Sequence, residues 1–258
     1  GNMVGVAAGL AASGYTVFVS SFAMFASGRA FEQIRNTAAY PNLNVKICAS
    51  HAGITVGADG ATHQCLEDIG IMRTIPNMTI INPADATESI LAVEAAIKHQ
   101  GPVYLRFGRL AVPELFDRAT YKFELGKGVE LEPGTDATIV ATGLMVPEAL
   151  EAKKILAESG INARVINIHT IKPIDKDILI KAAAETGAIV TAEEHNIIGG
   201  LGSAVAEVVC ENCPVPMRRV GTQDKFGKSG KPAILLEEYG LTAKNIAEQV
   251  KAVIKLKK

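Results

Sequence analysis

Along the first hundred residues, short apolar runs rich in β-branched side chains alternate with longer stretches of helical period. The runs TVFVS (16–20), NVKICA (44–49), MTIIN (78–82) and VYLRF (103–107) predict buried strands. Between them, MVGVAAGLAAS stops at Gly14, and DATESILAVEAAIKHQ has Asp85 as its cap and Gly101-Pro102 as its end; both predict helices. Such alternation gives a mostly parallel sheet with helices on its faces. From about 108 to 135 the rhythm lapses into prolines, charges and turn residues. It then resumes with strands at ATIVAT, ARVINI, AIVTAEE and PMRRVG, helices between them, and a closing helix TAKNIAEQVKAVIKLKK. The expected fold class is therefore α/β, with two doubly wound, mostly parallel sheets: residues 1–115, a linker at 116–135, and a smaller domain at 136–258. Residue 1 already lies just ahead of the first helix, so the first domain is expected to lack its first strand.

Open parallel sheets bind ligands in the crevice beyond the carboxyl ends of their strands, so residues just after each strand carry the most weight. After the first strand comes SSFAMFASGRAFEQIRN, where Phe22 and Phe25 lie three apart on one helical face. After the second comes ASHAGITVGADGATHQ, with His51, Asp59 and His63; after the fourth stand Arg106 and Arg109. Phenylalanine pairs at this spacing usually belong to a core, and a single histidine is usually structural. Two histidines, an aspartate and an arginine gathered on the strand ends of one domain instead suit a substrate with hydroxyls and a phosphate.

Composition narrows the classes. At 258 residues and 48% hydrophobic positions the chain can bury two cores. Its net charge is -1 and its basic residues are scattered apart from the terminal KLKK, so no footprint for nucleic acid or an anionic membrane is visible. No apolar run reaches the roughly 18–20 residues that span a bilayer, and a cytoplasmic protein is expected. Cys210 and Cys213 form a CxxC without a second ligand pair, which predicts reduced thiols, no disulfide framework and no metal ligands in this chain. Neither GxGxxG nor a Walker motif occurs, so dinucleotide or nucleoside-triphosphate binding has no support.

In order and spacing, NMVGVAAGLA, FVSSFAMFASGRAFEQIRN, HAGITVGADGATHQ, IPNMTIINPAD and GPVYLRFGR resemble the pyrimidine-binding domain of thiamine-diphosphate transketolases. INIHTIKPID and AEEHNIIGGLGSAVAEV are similar to the family's C-terminal domain. The resemblance implies ketol transfer from a ketose phosphate to an aldose phosphate, as in the pentose phosphate pathway, with the cofactor carrying the hard chemistry. It implies that Phe22 and Phe25 pack against the aminopyrimidine and that His63 stands near that ring and the reacting carbon. His51 and Asp59 would contact sugar hydroxyls or phosphate, Arg106 would hold the sugar phosphate, and His51 and His63 would carry protons.

Two departures bear on activity. The family glutamate that hydrogen-bonds the pyrimidine falls two residues before the position of Asn2 and is absent here, and where the family often carries a third aromatic this chain has Gly28. The diphosphate and its Mg2+ are held in the family by a separate N-terminal domain with oxygen ligands. The chain alone is therefore expected to be inert, to need an N-terminal half or subunit, and to dimerise through its pyrimidine-binding domain. His169, Glu193, Glu194 and His195 in the second domain read as structural or interface groups. The competing enzymatic readings are deoxyxylulose-phosphate synthase and the β subunit of 2-oxo-acid dehydrogenases; the competing non-enzymatic reading is an assembly subunit.

Overall fold

The computed structural model describes residues 1–257 and contains two five-stranded sheets. The first is built from β1 (Val17–Phe22), β2 (Val45–Ser50), β3 (Thr79–Ile81) and β4 (Val103–Arg106), all parallel, in the order β1-β2-β4-β3. Helices α1 (Asn2–Ala12), α3 (Asp68–Arg73) and α4 (Ala86–Lys98) accompany it. Between β1 and β2 the chain is helical over 23–39, with π-helical stretches at Met24–Arg29 and Ile34–Ala39 on either side of the short α2 (Phe31–Gln33). π-Helical turns often accompany functional sites because they re-aim side chains. Asp85 caps α4 as the sequence predicts, accepting from Glu88 N at 2.7 Å.

The second sheet runs β10-β9-β6-β7-β5, from β5 (Val129–Glu132), β6 (Ala137–Ala141), β7 (Ala163–Asn167), β9 (Ile189–Asn196) and β10 (Met217–Thr222). Helices α5 (Met145–Ala157), α6 (Lys176–Thr186), α7 (Leu201–Asn212), α8 (Pro232–Glu238) and α9 (Ala243–Ile254) complete this half. β5 falls inside the stretch read from the sequence as a linker and pairs antiparallel with β7. A second departure from the simple alternation is β8 (Thr170–Lys172), which leaves the second half and adds antiparallel to β3 at the edge of the first sheet. The two halves thus share a sheet.

Polar side chains also join them. Glu88, buried at the head of α4, accepts from Asn167 Nδ2 at 2.9 Å, from Ala84 N at 2.6 Å and from the Tyr121 hydroxyl, and so ties the first sheet, the connecting segment and β7 together. Burial pushes its carboxyl up from 4.5 to about 7, against these donors, which pull it down. An unfolded chain therefore releases this proton at lower pH than the folded one. Glu88 stabilises the fold fully below pH about 4.5, and that contribution is lost as pH rises to about 7. Glu88→Gln is expected to remove about 3 kcal/mol of pH dependence across this interval, read from the ΔG values extrapolated from urea denaturation of both proteins at its two ends.

Candidate active site

The carboxyl ends of β1 and β2 lie side by side, since Phe22 is in register with Ser50. That pairing places the last aromatic of one strand against the first residue beyond the other. The rings of Phe22 and His51 stack at 3.9 Å between centroids and 9° between planes. Phe25, three residues on, lies 6.2 Å from Phe22 in a nearly parallel plane and meets the edge of His63 at 5.3 Å. The Arg29 guanidinium lies 4.8 Å over the Phe25 ring. Four of the seven strand-end side chains singled out from the sequence therefore form one cluster of rings, each half-buried.

The backbone at this cluster is unusual. His51 has φ +57, a left-handed conformation that few side chains adopt and that tends to persist where the surroundings fix it. Its Nδ1 lies 3.0 Å from Ser50 Oγ, and Ala52 N donates to Phe107 O at 3.1 Å, so both sides of the turn are held. The chain then runs through a 3-10 segment, Ile54–Asp59, which leaves Asp59 exposed, and returns with His63 Nδ1 3.0 Å from Thr62 Oγ1. Beside Phe25, a cavity of about 170 Å3 opens between the start of α1 and β1, with Ser21, Arg29 and Ile47 among its walls.

Arg106 is placed differently from the sequence expectation. It ends β4, the central strand flanked by β2 and β3, and is 3% exposed. Its Nε pairs with the buried Asp68 carboxylate at 2.8 Å and Nη2 donates to Glu194 O at 2.9 Å, while the Tyr104 hydroxyl donates to the same Asp68 oxygen. Two of its three guanidinium nitrogens are thus engaged inside the protein, while the residue also lines a cavity of about 390 Å3 with Asp85, Phe107 and Glu194. Arg109, three residues further, is exposed and donates to Val56 O at 2.7 Å on the same loop as Asp59.

The polar residues of the second half are engaged in contacts within the fold. Glu193 receives Leu201 N at 2.6 Å and Gly202 N at 2.8 Å at the head of α7, and Glu194 Oε1 receives Thr55 N at 2.8 Å from the first half. His195 Nε2 accepts from Gly70 N at 3.2 Å. Burial drives His169 down to about 4, so it stays neutral, with its ring 4.2 Å from Phe123. The four cysteines are free, and burial raises Cys48 to about 11 and Cys65 to about 12, too high for either thiolate to serve near neutral pH.

An aminopyrimidine is a flat ring with polar edges, and the site offers matching chemistry. Phe22 and Phe25 supply faces for stacking, His63 a hydrogen-bonding ring at their edge, and the cavity beside Phe25 holds a group of single-ring size. A divalent metal finds no such match, because among the described residues no three His, Cys, Asp or Glu side chains converge. No helix among the described residues is long and apolar enough to cross a membrane.

Residues 1–114 match the family model for the transketolase pyrimidine-binding domain, and residues 126–246 that for the transketolase C-terminal domain. A protein of Methanocaldococcus jannaschii named "Putative transketolase C-terminal section" is 51% identical over 251 residues, 96% of this chain and 78% of that protein. The 6-deoxy-6-sulfo-D-fructose transketolase subunit of Clostridium sp. strain MSTE9 is 48% identical over 99% of this chain and 79% of its own length. Among solved structures, one titled "Split gene transketolase, inactive beta4 tetramer" superposes with a TM-score of 0.94 at 51% identity, covering 100% of this chain and 82% of that one.

Proposed function

The chain belongs to the transketolase family, on its C-terminal side, and from that premise we propose that it supplies the pyrimidine half of a thiamine-diphosphate site for two-carbon ketol transfer between sugar phosphates. An N-terminal subunit or section would hold the diphosphate and Mg2+, leaving this chain inert by itself. The single observation that carries the reading is the ring cluster Phe22–Phe25–His51–His63 at the carboxyl ends of two adjacent parallel strands.

The bound cofactor supplies the electron sink through which a two-carbon unit leaves the donor ketose. The chain's own residues do the rest. Phe22 and Phe25 orient the pyrimidine, and the edge of His63 beside Phe25 is positioned to exchange a proton with the ring's amino group or the reacting carbon's hydroxyl. His51, fixed by its stack on Phe22, and the exposed Asp59 hold donor hydroxyls. The phosphate goes to Arg109 rather than Arg106, because only Arg109 presents its guanidinium at the surface.

Residues 1–115 would serve the cofactor ring and substrate and 136–258 would give support, with β5 drawn from the connecting stretch 116–135 into the second sheet. Met3, Val6 and Leu10, spaced along one face of α1, are exposed together with Tyr15 and Phe18, an apolar stripe suited to a second copy or to the N-terminal partner. A cytoplasmic pentose-phosphate enzyme accommodates each of these features. Donor choice tests the reading: with an N-terminal transketolase subunit, thiamine diphosphate and Mg2+, xylulose 5-phosphate should be consumed and pyruvate should not. Consumption of pyruvate would move the chain to the synthase or dehydrogenase class.

A further inference from the structure

The loop that carries Asp59 and His63 is held largely by the other half of the molecule. Gln64, which follows His63, is 3% exposed and lies under the loop. Its amide nitrogen faces three carbonyl oxygens: Ile54 at 3.0 Å, Gly57 at 3.3 Å and Lys228 at 2.9 Å. Lys228 lies in the segment 223–231 that joins β10 to α8. Beside it, Ser229 Oγ donates to Ala58 O and Gly230 N donates to Gly57 O at 3.4 Å. Gly57 has φ +79 and ψ -112, a conformation that suits glycine, and its carbonyl is the point where Gln64, Gly60 and Gly230 meet. On the facing segment, a Cβ at Gly227 would lie 1.8 Å from Gln64 Oε1 and 2.8 Å from its Cδ, so a side chain there would push the Gln64 amide aside.

We infer that Gln64 is a positioning residue through which the segment 223–231 of the C-terminal half fixes the substrate loop, and so sets where Asp59 and His63 stand against a sugar substrate. Gln64 touches no substrate itself; it locks the loop by bonding across it and to Lys228 O. The inference rests on the ketol-transfer reading for its kinetic consequence, but the clamp is a property of the fold. Sub-ångström placement of substrate-binding groups has large kinetic consequences, which gives the C-terminal half a role in the reaction.

The test uses the complex with an N-terminal transketolase subunit and three variants: Gln64→Ala, Gly227→Ala and both together. Each single change is expected to raise KM for xylulose 5-phosphate about tenfold through Asp59 and to lower kcat about tenfold through His63, while calorimetric affinity for thiamine diphosphate stays within about twofold. The double variant should be no worse than Gln64→Ala, since an alanine at 227 then has nothing to strike. Hydrogen exchange should quicken in 54–60 and 226–230 together in each single variant. Ser229→Ala, which removes one exposed hydroxyl contact, should raise KM about threefold and supplies the test if Gln64→Ala fails to fold. Additive penalties, or faster exchange confined to one of the two segments, would overturn the clamp. An inactive wild-type complex with coupled exchange would instead defeat the ketol-transfer reading and leave the clamp standing.

Discussion

Arg106→Ala is expected to destabilise the chain by about 3–5 kcal/mol, whereas Arg109→Ala should change stability by no more than about 0.5 kcal/mol. Asp68 is fully buried, and its Oδ2 receives both Arg106 Nε and the Tyr104 hydroxyl. Removing the guanidinium leaves that carboxylate buried without its countercharge and frees the Glu194 carbonyl of its donor. Kinetics should divide the other way. In the reconstituted complex, Arg109→Ala is expected to raise KM for the ketose phosphate roughly tenfold or more, the loss of one charge-assisted anchor. Urea denaturation and steady-state rates on the two variants check this, and a stable Arg106 variant with a raised KM would return the phosphate role to Arg106.

His63→Ala is expected to lower kcat of the complex by about 10²–10⁴ with the fold intact, the range for loss of a positioned proton-transfer group. His63 is half-buried and its neighbours are Phe25 and Thr62, so its removal creates no buried cavity or unpaired charge. His51→Ala should act mainly on KM, because His51 is assigned to holding the donor. Equal losses in kcat for the two variants would remove the distinction between their roles.

Much of this architecture is legible in the sequence because each main strand of the first sheet is a β-branched run and its main helices have clear stops. β8 is not legible, since three residues carry little pattern and their pairing with β3 is decided by where the second half packs. β5 alternates outward and inward as an edge strand does, but VELE is short and set among turn residues. α8 did leave a signal in Pro232 at its first turn.

The ring cluster was visible as strand-end chemistry, yet the stack of Phe22 on His51 depends on the register of β1 with β2, which no local pattern encodes. The two arginines show the same limit. Arg106 ends a strand flanked on both sides, where a charge must be paired, and Arg109 lies beyond it. VYLRF is the last of the four runs in sequence, and its central place arises only from the crossover order β1-β2-β4-β3. Gln64 carried no signal, because its role arises only when 223–231 folds over the loop.

The most direct measurement is ketol transfer from xylulose 5-phosphate to ribose 5-phosphate, with thiamine diphosphate and Mg2+, by this chain alone and then mixed with an N-terminal transketolase subunit. Activity confined to the mixture, rising with this chain to a stoichiometric plateau, is the predicted result. A mixture that forms a complex and binds the cofactor yet transfers no ketol unit would contradict the account and leave an assembly subunit in its place.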